Sequence, residues 1–193
     1  MKKPAADTRQ HILDVAMSLM TQKGYTAVGL AEVVSAADVP KGSFYYYFKS
    51  KEEFGLALLG DYFSAYLSQV DALLSAEGTG SQRLMGYFQY WSKTQGTNLP
   101  DGKCLVVKLG PEVCDLSEDM RGVLDKGTAA IIAKIAHCVQ LGRDDGSITN
   151  DTPPQELAES LYELWLGASL LSKLGKNAAP FDRALSTTAR LLN

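Results

Sequence analysis

The 193-residue chain lacks the features that mark several large classes of protein. It has no apolar run of the ~18 residues that a membrane-spanning helix requires, and its first residues, MKKPAADTRQH, contain no apolar signal-peptide core. Only two histidines are present, and no phosphate-binding loop, nucleophile elbow or dinucleotide-binding motif occurs. These absences argue against a membrane protein and against an enzyme, and they predict a cytoplasmic protein.

Cysteine is also scarce. Cys104, Cys114 and Cys138 are an odd number and have no C-x-x-C spacing, so we expect neither a disulfide framework nor a zinc site, and no cofactor is predicted. The sequence lacks any long alternation of apolar and polar residues, and it contains no internal repeat. Apolar residues recur instead at helical spacing, which predicts an all-α protein.

Positive charge is in slight deficit, with a net charge of −3 over the whole chain. The deficit is uneven. Residues 1–53 carry 7 Lys and Arg against 6 Asp and Glu, a balance of +1, whereas residues 54–193 carry 12 against 16, a balance of −4. The acidic total therefore does not exclude nucleic-acid binding by the N-terminal part, although such binding would depend on the placement of individual cations.

The first fifty residues predict three short helices. The first begins with Asp7 or Thr8 as a cap and ends near Gly24, and the second covers residues 29–37. A tight turn follows, and Pro40 suits the first turn of the third helix. Two short helices joined by such a turn form a helix-turn-helix, so we place a DNA-binding domain at residues 1–50.

The third helix lies in residues 39–54, VPKGSFYYYFKSKEEF, which concentrate cations, hydroxyls and three consecutive tyrosines. Phe44 and Phe48 lie four residues apart and should pack inward. The other side chains then form a recognition surface, with Lys41, Ser43 and Tyr46 near bases and the remaining members on the phosphates. The alternative is a solvated helix face. The predicted DNA contacts are Lys41, Gly42, Ser43, Tyr45, Tyr46, Tyr47 and Lys51.

The rest of the chain, residues 51–193, predicts a helical body. Ser50 and Glu53 form a capping box that opens a long helix to about residue 75. Further helices are expected at about 81–95, 101–110, 116–141, 153–174 and 180–192.

The head resembles the DNA-binding domain of the TetR family of transcriptional repressors. The resemblance covers residues 8–60 and rests on Gly24-Tyr25, Lys41-Gly42-Ser43-Phe44-Tyr45 and Ser50-Lys51-Glu52-Glu53. It implies an N-terminal three-helix head, a C-terminal ligand-binding and dimerisation body, and a homodimer that binds a palindromic operator. Two departures are Val28-Gly29, where Thr-Thr is common, and Asp38, where glycine is usual.

Residues 102–121 and 164–168 resemble a subgroup of this family that is associated with sensing reactive electrophiles through cysteine. This resemblance implies that Cys104 is the sensor. A position in the first turn of a helix, near Lys103 and Lys108, would favour its thiolate. The alternative is an ordinary buried cysteine. Lys173 would bring its amine to the thiolate or to an anionic ligand, or else extend its ammonium group into water.

The body also offers a candidate pocket and a candidate dimer seam. Aromatic residues on its helices could line a cavity or simply form core, and the candidates are Tyr62, Tyr66, Phe88, Trp91 and Trp165. An apolar stripe on the last two helices could form a four-helix seam between two copies or pack within one chain. The candidates for this seam are Leu157, Leu161, Ala168 and Leu191.

The sequence thus predicts a repressor that a small molecule, or electrophile or oxidant modification of Cys104, releases from DNA. One alternative is a repressor that responds to a reversible, non-covalent ligand. Another is a thiol-dependent enzyme acting on electrophiles, in which Cys104 would pair with His137.

Overall fold

The structure, a computed structural model, describes residues 5–95 and 104–193. Over these residues the chain is all α and forms nine helices. None of the helices within the described ranges is long and apolar enough to cross a membrane. The helices are α1 Ala5–Lys23, α2 Leu30–Ala36, α3 Lys41–Tyr47, α4 Lys51–Leu74, α5 Gly80–Gln95, α6 Leu105–Leu116, α7 Glu118–Asp144, α8 Pro154–Gly175 and α9 Ala179–Leu191.

The chain divides into two compact units, and the division does not follow the order of the sequence. The first, which we call the head unit, comprises Met1–Ser64 and Lys108–Asp125, and the second, the body unit, comprises Ala65–Val107 and Lys126–Asn193. Helices α4, α6 and α7 therefore contribute residues to both units. The predicted domain boundary at residue 50 stays a prediction.

An aromatic cluster organises the head unit. The rings of Phe44, Phe48 and Phe54 lie 5.0–5.2 Å apart, centroid to centroid, and all three are buried. Half of the predicted capping box is present, because Ser50 Oγ accepts the Glu53 N–H at 3.0 Å, whereas the Glu53 carboxylate accepts the Lys49 N–H at 2.8 Å instead of the Ser50 N–H. Asp38 supplies the left-handed backbone of the turn between α2 and α3 with φ of 52°, which Asp adopts more readily than most residues.

Helix α6 differs from its prediction. The sequence predicted a helix that ended at Gly110, before Pro111, but the helix continues through both residues to Leu116. A proline inside a helix removes one N–H, here the donor for the Val107 carbonyl, and weakens the helix at that point. The prediction was wrong because packing of α6 outweighed this local cost. The predicted first residues of this helix, 101–103, lie outside the described residues.

Stacked aromatic rings form the core of the body unit. Trp165 lies fully buried on α8, nearly parallel to the rings of Phe88 at 4.8 Å and Phe181 at 6.0 Å. Its indole N–H donates to Thr188 Oγ1 on α9 at 3.0 Å, so the buried polar atom is satisfied. These contacts join α5, α8 and α9 into one layer.

Candidate DNA-binding and sensor sites

The helix-turn-helix presents the tyrosine-rich face of α3 to solvent. Phe44 is fully buried, whereas Tyr45 and Tyr46 are 52% and 77% exposed, a large fraction for aromatic side chains. Lys41 and Gly42 are also exposed, at the start of the helix. The apolar spacing of four residues explains the split, since residues four apart lie on the same face of a helix.

Two further predicted DNA contacts are partly engaged within the chain. Tyr47 is half-buried, with its ring edge-on to Tyr46 at 4.9 Å. Lys51 is exposed at the first position of α4, and its ammonium lies 5.0 Å from the ring centre of Tyr25. The Tyr25 hydroxyl donates to the Lys51 carbonyl at 2.9 Å, so Tyr25 fixes this cation at a helix N-terminus, where phosphate is favoured. Ser43 is half-buried.

Cys104 lies immediately before α6 and is buried, with 7% of its surface exposed. Its backbone N–H donates to Gln95 Oε1 at 2.7 Å, which joins the end of α5 to the start of α6. Two cations were predicted beside the thiol. Lys103 lies outside the described residues, and the Lys108 ammonium donates to the Gln22 carbonyl at 3.2 Å.

Three tyrosine hydroxyls lie close enough to the Cys104 thiol for its charge to affect their pKa values. Burial raises the pKa of Tyr66, Tyr87 and Tyr162, and charge on nearby Cys104 raises each of these pKa values further. The Tyr66 and Tyr87 oxygens lie 3.2 Å apart and share a hydrogen bond. Each phenol therefore remains protonated at neutral pH, and whichever of Tyr66 and Tyr87 accepts the shared hydrogen bond keeps its own O–H for another acceptor.

The predicted pocket residues lie in different parts of the structure. Tyr66 joins the thiol cluster, but Phe88, Trp91 and Trp165 are fully buried in the ring core, and the Trp91 N–H donates to Ser169 Oγ at 2.9 Å. Tyr62 belongs to the head unit and lies half-buried against Phe63. That these residues line a pocket stays a prediction.

The other cysteines provide a contrast with Cys104. Cys138 is buried on α7, its thiol contacts the Gly80 carbonyl at 3.6 Å, and desolvation raises its pKa to about 11. Cys114 is exposed on α6. Lys173 is exposed near the end of α8, and its pairing with Cys104 stays a prediction. No cluster of metal-ligating side chains occurs among the residues that the structure describes.

The candidate dimer residues lie mostly inside the chain. Leu157, Leu161 and Ala168 are buried by their own unit, and Leu191 is half-buried. The apolar surface that remains available on α8 consists of other residues, namely Leu170, Leu171 and Leu174, which are 47%, 55% and 70% exposed. The assignment of the seam therefore stays a prediction.

Sequence reasoning missed two features of the sites. Tyr162 was not predicted beside the thiol, although it falls on the same face of α8 as the predicted Trp165. Glu112 was not predicted to contact the connection between α1 and α2, yet its carboxylate accepts the N–H and Oγ1–H of Thr26 at 3.0 and 2.7 Å. These hydrogen bonds lower the Glu112 pKa. No local pattern marks a contact between residues 86 positions apart.

A buried three-helix core that displays a cationic, tyrosine-rich recognition helix defines a helix-turn-helix DNA-binding regulator. Comparison with known proteins supports the same class. Residues 12–58 match the family described as "Bacterial regulatory proteins, tetR family", and residues 80–188 match "Tetracyclin repressor-like, C-terminal domain". The chain belongs to the TetR family, and it is a DNA-binding transcriptional repressor.

Individual relatives support this membership along nearly the whole chain. The chain is 41% identical to the HTH-type transcriptional repressor NemR of Escherichia coli, covering 96% of this chain and 94% of that one. It is 32% identical to the HTH-type transcriptional repressor DhaR of a Mycobacterium species, covering 95% and 91%. The crystal structure of reduced E. coli NemR superimposes with a TM-score of 0.92 at 40% identity, covering 97% of each chain. Repressors of this family bind operator DNA as dimers.

Proposed function

We propose that the protein binds a palindromic operator as a homodimer and that covalent addition of an electrophile to Cys104 releases it. The observation that carries this proposal is the position of Cys104, buried among three protonated phenols at the start of the helix that also carries Glu112. The similarity to NemR supports a repressor output.

The cluster suits an α,β-unsaturated carbonyl compound. The Cys104 thiol would first lose its proton to water, which balances the proton that water later returns to the α-carbon. The thiolate would then form a bond from Sγ to the β-carbon, and the electron pair of the double bond would move to the carbonyl oxygen. The resulting enolate oxygen would accept a hydrogen bond from a phenol of Tyr66, Tyr87 or Tyr162, and a proton from water would complete the addition at the α-carbon. Donors placed where negative charge develops accelerate such a step.

Helix α6 provides the connection between this chemistry and the DNA-binding head. It begins beside Cys104 in the body unit and continues to Glu112, which holds Thr26 in the connection between α1 and α2. Pro111 weakens the helix between these two points. An adduct that displaces the start of α6 would therefore reach the head through covalent continuity of one helix.

A covalent modification can supply the free energy that release from DNA requires. Moving an equilibrium from 99:1 to 1:99 takes about 5.5 kcal/mol of differential interaction. Inserting extra methylene groups into a packed core costs about 1–3 kcal/mol, and an N-ethylmaleimide adduct adds more atoms than a methylene group does. The rearranged state would hold the two heads out of register with successive major grooves, which are about 34–36 Å apart.

The dimer would form through α8 and α9. In this proposal the exposed side chains of Leu170, Leu171 and Leu174, together with the half-buried Leu191, pack against the partner subunit. On the DNA, Lys41, Ser43 and Tyr46 would approach bases, while Tyr45, Tyr47 and Lys51 would contact phosphates.

The test measures operator affinity before and after treatment with N-ethylmaleimide, using a duplex from the upstream region of the gene. Three single variants form the comparison, Cys104→Ser, Cys114→Ser and Cys138→Ser. We expect treatment to weaken binding by wild type and by the Cys114 and Cys138 variants at least 100-fold, and to leave the Cys104 variant unaffected. Equal loss of binding in all four proteins would contradict the proposal.

The same experiment separates covalent sensing from a reversible ligand. Release by a non-covalent inducer would persist in Cys104→Ser and would reverse on dialysis, whereas an adduct adds its mass to wild type and survives dialysis. Mass spectrometry of the treated protein identifies the modified cysteine directly.

A further inference from the structure

The first turn of α4, which carries the proposed phosphate contact Lys51, is held by two other parts of the chain. Tyr25 reaches it from the connection between α1 and α2, and Ser117 and Met120 reach it from the start of α7. All four residues belong to the head unit, although Ser117 and Met120 fall within residues 80–188, the part that matches the C-terminal domain family.

Tyr25 contacts both the main chain and the cation of Lys51. Its hydroxyl donates to the Lys51 carbonyl at 2.9 Å, and its ring centre lies 5.0 Å from the Lys51 ammonium. Burial raises the pKa of the Tyr25 hydroxyl, and charge on Glu52 raises it further, so this group stays a donor at neutral pH. The ring attracts the ammonium through its negative face. One side chain therefore orders the lysine at both ends.

Gly55, one turn further along α4, leaves the space that this arrangement needs. A Cβ at this position would lie 2.7 Å from the Tyr25 hydroxyl oxygen and 2.5 Å from the sulfur of Met120, closer than real contacts allow. Tyr25 and Met120 therefore occupy the volume of a missing side chain, and both are buried. A phenol that is closely packed in this way keeps its hydroxyl in one place.

The first turn of α4 also contains two acids, which stabilise a helix start but would repel a phosphate. The Glu53 carboxylate accepts the Lys49 N–H at 2.8 Å, and the Glu52 carboxylate accepts the Ser117 O–H at 2.5 Å. Ser117 Oγ also accepts the Met120 N–H at 3.3 Å, so one hydroxyl caps α7 and holds Glu52. A carboxylate that is held within the chain is less free to turn toward a neighbouring phosphate.

The Lys51 ammonium remains available to an external anion. It is exposed and forms no ion pair among the residues that the structure describes. A lysine side chain that is free in solution loses rotamer freedom when it binds a phosphate. Ordering the side chain before DNA arrives reduces this entropic cost and so increases affinity.

We propose that Tyr25 and Ser117 are positioning residues for DNA binding. Tyr25 holds Lys51 in place for a phosphate, and Ser117 keeps the Glu52 carboxylate from opposing that contact. The inference rests on the proposed contact between Lys51 and phosphate, and it does not depend on the chemistry of Cys104. It extends the determinants of DNA affinity beyond the helix-turn-helix, to a residue 65 positions after its partner on α4.

The first test is a double-mutant cycle of Tyr25→Phe and Lys51→Gln in the full-length protein. Fluorescence anisotropy measures the Kd for a duplex of unrelated sequence at low salt, because phosphate contacts do not depend on sequence. Each single variant should weaken binding about threefold to tenfold and reduce its salt dependence. In the Lys51→Gln background, Tyr25→Phe should have no further effect. Tyr90→Phe, which removes a half-buried phenol hydroxyl from α5, is the matched control and should bind as wild type does.

The second test is a cycle of Ser117→Ala and Glu52→Gln with the same duplex. Ser117→Ala should weaken binding about threefold, because it frees a negative charge in the turn that contacts phosphate. It should have no effect once residue 52 is neutral. Ser147→Ala, which removes a hydroxyl that accepts the Ser81 N–H in the body unit, is the control and should leave the Kd unchanged.

The results separate this inference from the contact on which it rests. Wild-type binding by Lys51→Gln would overturn the phosphate contact and the inference together. Weakened binding by Lys51→Gln with no effect of Tyr25→Phe or Ser117→Ala would overturn the inference alone, and each cycle decides the role of its own residue. Equal losses from Tyr25→Phe with and without Lys51, or failure of Tyr25→Phe to fold, would assign the hydroxyl to the stability of the head and would also overturn its positioning role.

Discussion

Tyrosine occurs in two opposite environments in this protein. In the head unit, Tyr45 and Tyr46 are 52% and 77% exposed on a short helix. In the body unit, Tyr87 and Tyr162 are 1% and 3% exposed, and burial raises the pKa of their hydroxyls. The same side chain is therefore exposed to solvent in one unit and buried in the core of the other.

An aromatic hydroxyl contributes differently to each unit. An exposed phenol contributes area and a hydrogen bond to a partner that arrives from outside, and its removal should affect binding more than folding. A buried phenol is satisfied within the core, and its removal should affect stability and the chemistry of its neighbours.

The largest effect is expected from the body core. Trp165→Ala removes a fully buried ring that stacks on Phe88 and Phe181 and donates to Thr188, and it should reduce the free energy of unfolding by about 3–5 kcal/mol. Urea denaturation measures the loss. Tyr46→Ala, the matched aromatic deletion in the head, should change stability by no more than about 0.5 kcal/mol. Similar losses in both variants would remove the distinction between the two units.

The second effect concerns DNA affinity. Tyr46→Ala and Lys41→Ala should each weaken operator binding by about 1–3 kcal/mol, because each would remove a base contact. Lys51→Gln, a phosphate contact, should weaken operator and unrelated DNA alike and reduce the salt dependence of binding by about one counterion. Fluorescence anisotropy over a range of salt concentrations measures both quantities. Operator affinity that is unchanged in Tyr46→Ala would assign the exposed ring to another partner.

Only part of the fold and of the candidate sites could be predicted from the sequence. The exposed face of α3 follows from the spacing of Phe44 and Phe48 alone, because a short helix has one inward stripe. The three-tyrosine cluster could not be derived, since Tyr66, Tyr87 and Tyr162 lie on three helices whose relative rotation depends on packing. The same holds for Glu112 and Thr26, and for the continuation of α6 through Pro111, where tertiary contacts outweigh local propensity.

The third effect appears at high pH and reports on the buried phenols. The folded-state pKa values of Tyr66, Tyr87 and Tyr162 exceed the ordinary value of 10.0, so the unfolded chain loses these protons first. Their contribution to stability is complete below pH 10 and declines as the pH rises above it. Tyrosinate absorbance should therefore show the hydroxyls of Tyr66, Tyr87 and Tyr162 losing their protons only on unfolding. Tyr87→Phe should shift alkaline unfolding to higher pH, and an unshifted transition would contradict the assignment.

The smallest effect concerns the contact of α6 with the head. Hydrogen bonds from Thr26 lower the folded-state pKa of Glu112 below its ordinary value of 4.5, so their contribution to stability is present above that pH and is lost as the pH falls through the folded-state pKa. Because the carboxylate is largely accessible to solvent, Glu112→Gln should cost no more than about 1 kcal/mol at pH 7. The variant should nevertheless retain operator binding after maleimide treatment to a greater degree than wild type, since it weakens the link between Cys104 and the head. Glu118→Gln, which breaks an exposed ion pair with Arg121 on α7, provides the control and should respond to maleimide as wild type does. If Glu112→Gln is released from DNA as fully as this control, α6 does not couple the two units through Thr26.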